Sequence, residues 1–200
     1  MMKIIVIGSS GAVGCAALQA LSVRHEVITA NRSSGDIKID IENLDSIRSM
    51  YADVGKIDAV VSAVGHGYFG PVDGMSSEQF MKGILHKTLP QVNLVLEGMR
   101  FMNDGGSFTI TSGVLNRDPI RGGASAAAAN GALDSFVIGA AVEMPRGIRI
   151  NCVSPEVLEV SREKYDGFFH GHVHVSSESV GLAYCKAVEG CGNGQILIVE

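Results

Sequence analysis

The chain has 200 residues, of which 46% are hydrophobic and 18% charged, and its formal net charge is −5. That length and balance suit one domain over residues 1–200 with a sizeable core, and exclude a disordered chain. No basic run or stripe offers a nucleic-acid surface, and no apolar run approaches the length that spans a bilayer. Cys15, Cys152, Cys185 and Cys191 are scattered without a C-x-x-C pair. They predict reduced, buried thiols and, with a strand starting almost at the N-terminus in place of a signal peptide, a cytoplasmic protein.

Apolar β-branched runs alternate with helical patterns in chain order. KIIVIG (3–8) predicts a buried first strand, and AVGCAALQALS after it carries apolar residues at helical spacing. HEVITA (25–30) and DIKIDI (36–41) predict the second and third strands, with a helix over LDSIRSMYADVG. IDAVVSAVG (57–65) predicts a fourth, apolar throughout as befits a strand covered on both faces. Residues 76–102 predict one long helix, with Ser76 or Ser77 as N-cap and a kink near Pro90. GSFTITSG predicts the fifth strand, 123–143 a second long helix, and GIRINCVSP the sixth strand. A helix over 177–189 and a last strand, GQILIVE, close the chain. Such βαβ alternation predicts a Rossmann-type doubly wound parallel sheet with helices on both faces.

IGSSGAVG sets Gly8, Gly11 and Gly14 between the first strand and the first helix. A pyrophosphate needs a tight turn, close backbone approach and a helix N-terminus aimed at it. Gly8, Ser9, Ser10, Gly11, Val13 and Gly14 therefore form a candidate phosphate cradle, although the spacing is not the common G-x-G-x-x-G. At the end of the second strand, ITANRSS offers no acid for a ribose 2′-hydroxyl. It offers Arg32 flanked by Asn31 and Ser33, a guanidinium with small polar neighbours that suits a 2′-phosphate. NADP(H) is expected in preference to NAD(H).

These residues and several further on resemble the short-chain dehydrogenase/reductase family over nearly the whole chain. KIDIENLDSI resembles its acidic D-[VI]-[TS]-[DN] stretch, which would set Asp40 and Ile41 near an adenine. VSAVG stands where members carry NNAG, so Ser62, Ala63 and Gly65 would border the adenosine ribose. GIRINCVSPEVL resembles IRVN-x-[VI]-x-PG-x-[VI], which implies that Pro155 and Val157 line the nicotinamide, with Glu156 in place of a glycine. The resemblance and the alternation together imply seven strands in the order 3-2-1-4-5-6-7.

Catalysis in that family uses Asn, Ser, Tyr and Lys, the last three spaced S-x12-Y-x3-K. Laid on this chain, the spacing returns Gly113, Ala126 and Asn130, and the Asn falls near His86. A slip of one returns Ser112 and Ser125 but no tyrosine or lysine. Asn130 could still donate to ribose hydroxyls. Candidate catalytic groups are Thr111 and Ser112, closing the fifth strand, and His86; His66 lies beyond the fourth strand, where ligands bind in open α/β sheets.

His170, His172 and His174 alternate, but nothing completes a ligand set and no metal is expected. The segment stands where the family has its substrate lid, which would bury Phe168 and Phe169 over the nicotinamide. The helices over 76–102 and 123–143 correspond to those that pair between subunits, implying a homodimer or homotetramer. Two functions fit: an oxidoreductase passing hydride between NADP(H) and a small carbonyl or alcohol with a non-standard proton donor, or a non-catalytic NADP(H)-binding sensor without a substrate.

Overall fold

A computed structural model describes residues 1–200. The chain runs β1 (Lys3–Ile7), α1 (Ala12–Leu21), β2 (Glu26–Asn31), β3 (Ile37–Lys38), α2 (Leu44–Val54) and β4 (Ile57–Ser62). It continues with α3 (Ser77–Gly83), a π-turn over Ile84–Thr88, α4 (Leu89–Gly98), β5 (Met102–Thr111), α5 (Ala124–Ala141), β6 (Arg149–Pro155), α6 (Ser177–Glu189) and β7 (Ile196–Val199). All seven strands are parallel, in the order β3-β2-β1-β4-β5-β6-β7 expected of the sequence.

The near-continuous apolar strands follow from cover on both faces. In β1, Ile5 and Ile7 pack with Tyr51, Leu94, Phe108 and Leu133 beneath α2, α4 and α5. Ile4 and Val6 point the other way, into Leu21, Val180 and Tyr184 beneath α1 and α6. All four β1 side chains are essentially inaccessible. Every fully buried Ile or Leu contributes roughly 1.5–3 kcal/mol by leaving water, so two cores on one sheet account for its retention of a parallel register.

Three boundaries differ from the sequence reading. The third strand is only two residues long, because the chain turns at once: Asp40 N–H donates to Ser46 Oγ, and Glu42 N–H donates to the Asp40 carboxylate. Asn43 then caps α2 by accepting from the N–H groups of Asp45 and Ser46. The long helix ends at Gly98 rather than Met102. Arg146 crosses to that corner and donates to the carbonyls of Met99 and Met102, so the strand starts where the helix was expected to continue.

The kink expected at Pro90 takes the form of the π-turn. Proline has no N–H to give the carbonyl four residues back, and its ring crowds that carbonyl. The turn ahead of it widens by one residue, which rotates every side chain of Ile84–Thr88 relative to α3. The start of α3 is held by a capping box, with Gln79 N–H donating to Ser76 Oγ and Ser76 N–H donating to Gln79 Oε1.

One side chain ties α4 to the end of β5. Gln91 is wholly buried, donates from Nε2 to the Thr111 carbonyl and accepts the Thr111 N–H, both at 2.9 Å. Gln91→Leu orphans both backbone groups at roughly 1–3 kcal/mol each. Urea unfolding of that variant should show a lower midpoint at unchanged slope, corresponding to a loss of about 2–5 kcal/mol; an unshifted midpoint would show that the clamp contributes nothing.

Candidate functional site

The connections of β1 and β4 leave the sheet in opposite directions, and a crevice opens at their carboxyl ends. It has two adjoining chambers. The outer, of about 290 Å³, runs along the ends of β1 and β2; the inner, of about 410 Å³, lies over the ends of β4, β5 and β6. Gly11, Ala63, Val64, Gly65 and His66 border both.

Between the chambers lies the glycine turn. A Cβ on Gly14 would stand 2.0 Å from the Gly8 carbonyl oxygen, so the first turn of α1 packs onto the turn at a distance only glycine allows. No side chain caps α1, and its first turn carries no acid, so the helix presents unpaired N–H groups and its positive dipole end to the crevice. Ser10 and Gly11 line the outer chamber and Val13 the inner one. Asn31 shapes this turn: it accepts from the N–H and hydroxyl of Ser10 and donates to Ser9 Oγ.

Arg32 lies on the rim of the outer chamber and is 72% exposed. Its guanidinium is 3.7 Å from Asp40 and 3.8 Å from Glu42, beyond hydrogen-bonding reach of either. Ile41 and Glu42 line that chamber, whereas Asp40 and Ser33 are exposed outside its wall. Two sequence expectations are corrected here. Ser62 is completely buried within the sheet and borders neither chamber, since its carbonyl accepts the Thr111 hydroxyl beneath the crevice floor. His86 belongs to the outer chamber, stacked on His66 with centroids 5.1 Å apart. Its Nδ1 is 3.0 Å from Glu42 but not aligned for a hydrogen bond. The π-turn rotated it away from the inner chamber.

The same rotation brings in Lys87, which the sequence reading missed. Its ammonium donates to Asn130 Oδ1 at 2.6 Å and to the Ser112 carbonyl at 2.7 Å. An ammonium has three N–H groups, so one remains without a protein acceptor. Burial pushes this lysine down to about 8, against weaker support for the charged form from Asp134. Asn130 also donates to the Gly113 carbonyl at 3.1 Å, so its amide is engaged with protein on both sides. The signal was in plain view: an α5 lacking its lysine, and a lysine three residues before Pro90.

Thr111 and Ser112 also line the inner chamber, with their hydroxyls held by protein partners. Thr111 directs its hydroxyl to the Ser62 carbonyl and the Tyr184 phenol, on the α6 side of the sheet. Ser112 accepts from the Cys152 thiol at 3.2 Å and is almost fully buried. Burial pushes that thiol up to about 12, so it stays protonated. Gly113 has φ +147°, a conformation that side chains rarely adopt. Ala126 is covered by the loop after β4: a Cβ on Gly67 would lie 3.1 Å from the Cα and Cβ of Ala126. Gly67 thus packs closely against Ala126, which also lines the inner chamber.

Residues after β6 form the outer wall. Pro155, Val157, Leu158, Tyr165 and Phe169 line the inner chamber with Val114 and Leu115. Phe168, expected beside Phe169, is 57% exposed instead. Turns run through residues 166–171 and take in His170, so the three alternating histidines do not form one extended run. His172 lies 2.7 Å from the buried Glu156 carboxylate and 3.7 Å from Asp118. That contact pins the wall to the end of β6.

Fold and crevice define a Rossmann-type α/β protein with an open site at the strand switch point. A family described as Enoyl-(Acyl carrier protein) reductase matches residues 13–178. The chain belongs to the short-chain dehydrogenase/reductase family, whose members bind nicotinamide cofactors. It is similar to the solved structure of the protein lin1944 from Listeria innocua, at 49% identity over 100% of both chains with TM-score 0.97. A small-chain dehydrogenase is similar at 25% identity, covering 99% of this chain and 95% of that one, TM-score 0.83. A further small-chain dehydrogenase, solved in complex with NADPH, shares the fold at 23% identity, 99% and 96% coverage and TM-score 0.84. A search of curated proteins finds no match.

The residues present fit a nicotinamide dinucleotide: the uncapped α1 and the glycine-only contact at Gly14 form the cradle, and the two chambers extend from it on either side. Restoring the family's tyrosine is a different matter. Ala126→Tyr forces a ring into the space of the Gly67 loop, and overpacking costs roughly 1–3 kcal/mol or more. Thermal unfolding should show a lower Tm for this variant, with no gain in carbonyl reduction; a stable variant with raised activity would show that the loop yields freely.

Proposed function

We propose that this protein is an NADP(H)-dependent oxidoreductase that interconverts a small apolar carbonyl compound and its alcohol without the family's tyrosine. The observation that carries this reading is Lys87: an ammonium reaches the inner chamber although α5 has lost its own lysine. When bound, the dinucleotide supplies or accepts the hydride.

On this reading the chain's own groups do the rest. The unpaired N–H groups of the first turn of α1 hold the pyrophosphate. Arg32, free of hydrogen bonds and exposed, turns to a 2′-phosphate. Ile41, Ala63 and Gly65 border the adenosine, and Pro155 and Val157 the nicotinamide. Val114, Leu115, Phe69 and Phe169 give the inner chamber apolar walls, which favour an uncharged carbonyl and exclude water as the wall after β6 closes. A non-catalytic sensor is the second reading; it draws support from the absence of tyrosine and lysine from α5, and loses it where a buried ammonium adds cost without function.

Association into a homodimer or homotetramer fits the exposed apolar residues Leu85, Leu89 and Leu96 on the helices after β4, and Ile138 on α5. Such residues are usually covered when contiguous. Leu96→Asp together with Ile138→Asp should convert the assembly to monomer in sedimentation velocity. An unchanged sedimentation coefficient would place the interface elsewhere.

Cofactor choice has a direct test. Arg32→Ala should weaken NADPH by about tenfold to a hundredfold, the loss of one charge-assisted contact worth roughly 1.5–3 kcal/mol. NADH affinity should stay within about twofold. Fluorescence titration of both nucleotides measures this. Equal losses would show that Arg32 does not read the 2′-phosphate, and absence of any NADPH binding by the wild type would overturn the reading as a whole.

A further inference from the structure

We propose that Lys87 is the proton donor of the inner chamber, held for that task by Asn130. This rests on the reductase reading above and adds to it the group that acts on the carbonyl oxygen.

The first ground is geometric exchange. In the family resemblance, asparagine belongs on the helix after β4 and lysine on α5; here Lys87 is on the former and Asn130 on the latter. The two side chains meet at 2.6 Å, so an ammonium carried from the opposite wall reaches the amide that replaced the family's lysine. The second ground is placement on rigid elements. The π-turn aims Lys87, and Thr88 beside it donates to the Ala129 carbonyl, fastening the turn to α5. A donor fixed between two packed helices keeps its geometry.

The third ground is the state of the ammonium. Both of its acceptors, the Ser112 carbonyl and Asn130 Oδ1, are neutral. Asp134 on α5 favours its charge from further off, yet burial prevails. An amine lowered to about 8 is still mostly protonated at neutral pH and gives up its proton far more readily than an ordinary lysine. The remaining titratable groups lining the chamber are His66, Glu156, Lys164 and Tyr165. Glu156 is occupied by His172. Tyr165 is the rival donor, but it sits in the wall after β6, with Lys164 over its ring at 5.2 Å.

The step balances simply. Lys87 Nζ gives a proton to the carbonyl oxygen as the carbonyl carbon receives hydride from the reduced nicotinamide dinucleotide. The C=O π pair becomes the new O–H bond, the N–H pair stays on nitrogen, and the neutral amine regains a proton from water. The aldehyde or ketone is reduced to an alcohol and the dinucleotide is oxidised.

The test follows NADPH oxidation with hexanal and benzaldehyde across pH 6–10, alongside NADPH titration of each variant. Lys87→Met should lower turnover by about a hundredfold or more, in the range of general acid catalysis, while NADPH affinity changes by less than about threefold. Wild-type kcat should fall as pH rises through about 8, because the donor must carry its proton. Asn130→Asp should carry that fall upward by roughly one unit or more, since an opposite charge in contact favours the ammonium. Tyr165→Phe should keep the wild-type pH profile and lose far less turnover than Lys87→Met.

Turnover and profile unchanged in Lys87→Met would overturn the proposal, as would transfer of the loss to Tyr165→Phe. Loss of NADPH affinity equal to the loss of turnover would assign Lys87 to binding instead. A second readout is independent of turnover: reductive 13C-methylation of the folded protein, with the Lys87 signal assigned by its absence in Lys87→Arg. That signal should titrate near 8 and shift when NADPH is added. A lysine that titrates like the surface ones, or ignores NADPH, sinks the donor role even where the wild type binds the dinucleotide. If the wild type binds NADPH but reduces nothing, the reductase reading fails first and the lysine's role with it.

Discussion

A parallel sheet cannot leave either face in water, and most of this structure follows from satisfying that constraint. Successive strands lie side by side only if the chain returns along one face between them, so each crossover supplies the cover for the sheet it extends. Here α2, α4 and α5 close one face over Tyr51 and Phe108, and α1 and α6 the other over Leu21 and Tyr184. The winding must reverse somewhere, and β1 and β4 are neighbours whose crossovers diverge. The crevice between them is what remains uncovered, so the position of the site is a consequence of how the core is closed.

Within the crevice, the governing term is the cost of removing an ammonium from water. A buried charge without a counter-ion must be solvated by protein dipoles, and Lys87 is, by the Ser112 carbonyl and the Asn130 amide. That requirement reaches outward. The Ser112 carbonyl is available because the chain turns off β5 at Gly113 with φ +147°. Asn130 is oriented because its other end donates to the Gly113 carbonyl. One small group of polar atoms therefore links the π-turn, the end of β5 and α5. The loop after β4 packs on α5 from the other side, where Gly67 lies close against Ala126.

The outer wall is held in a different way. Glu156 stands where the family's motif has glycine, and the carboxylate so gained grips His172 sixteen residues on. A histidine–carboxylate contact buried at both ends is short in range and directional, so it locates Phe169 against the chamber while Phe168 turns to solvent. Sequence spacing suggested three histidines on one face; the turn through His170 breaks that run, and His172 is held by the Glu156 carboxylate.

What the sequence determined by itself is whatever depends on short-range pattern. Strand apolarity, helical periodicity and the glycine turn specified a doubly wound parallel sheet, the family resemblance added its strand order, and the motif residues located the crevice with Ala63, Gly65, Pro155 and Val157 on its walls. The absence of tyrosine and lysine from α5 was equally legible. Tertiary structure alone decided which polar side chains face the cavity. Thr111 and Ser112 line the inner chamber with hydroxyls already bonded to protein, whereas Ser62 borders neither chamber. His86 and Lys87 are adjacent in sequence, and no periodicity tells which of them enters the inner chamber. The widened turn ahead of Pro90 decides it, because one added residue rotates a helix face by roughly 100°, and that rotation is set by packing against α5, which no local pattern records.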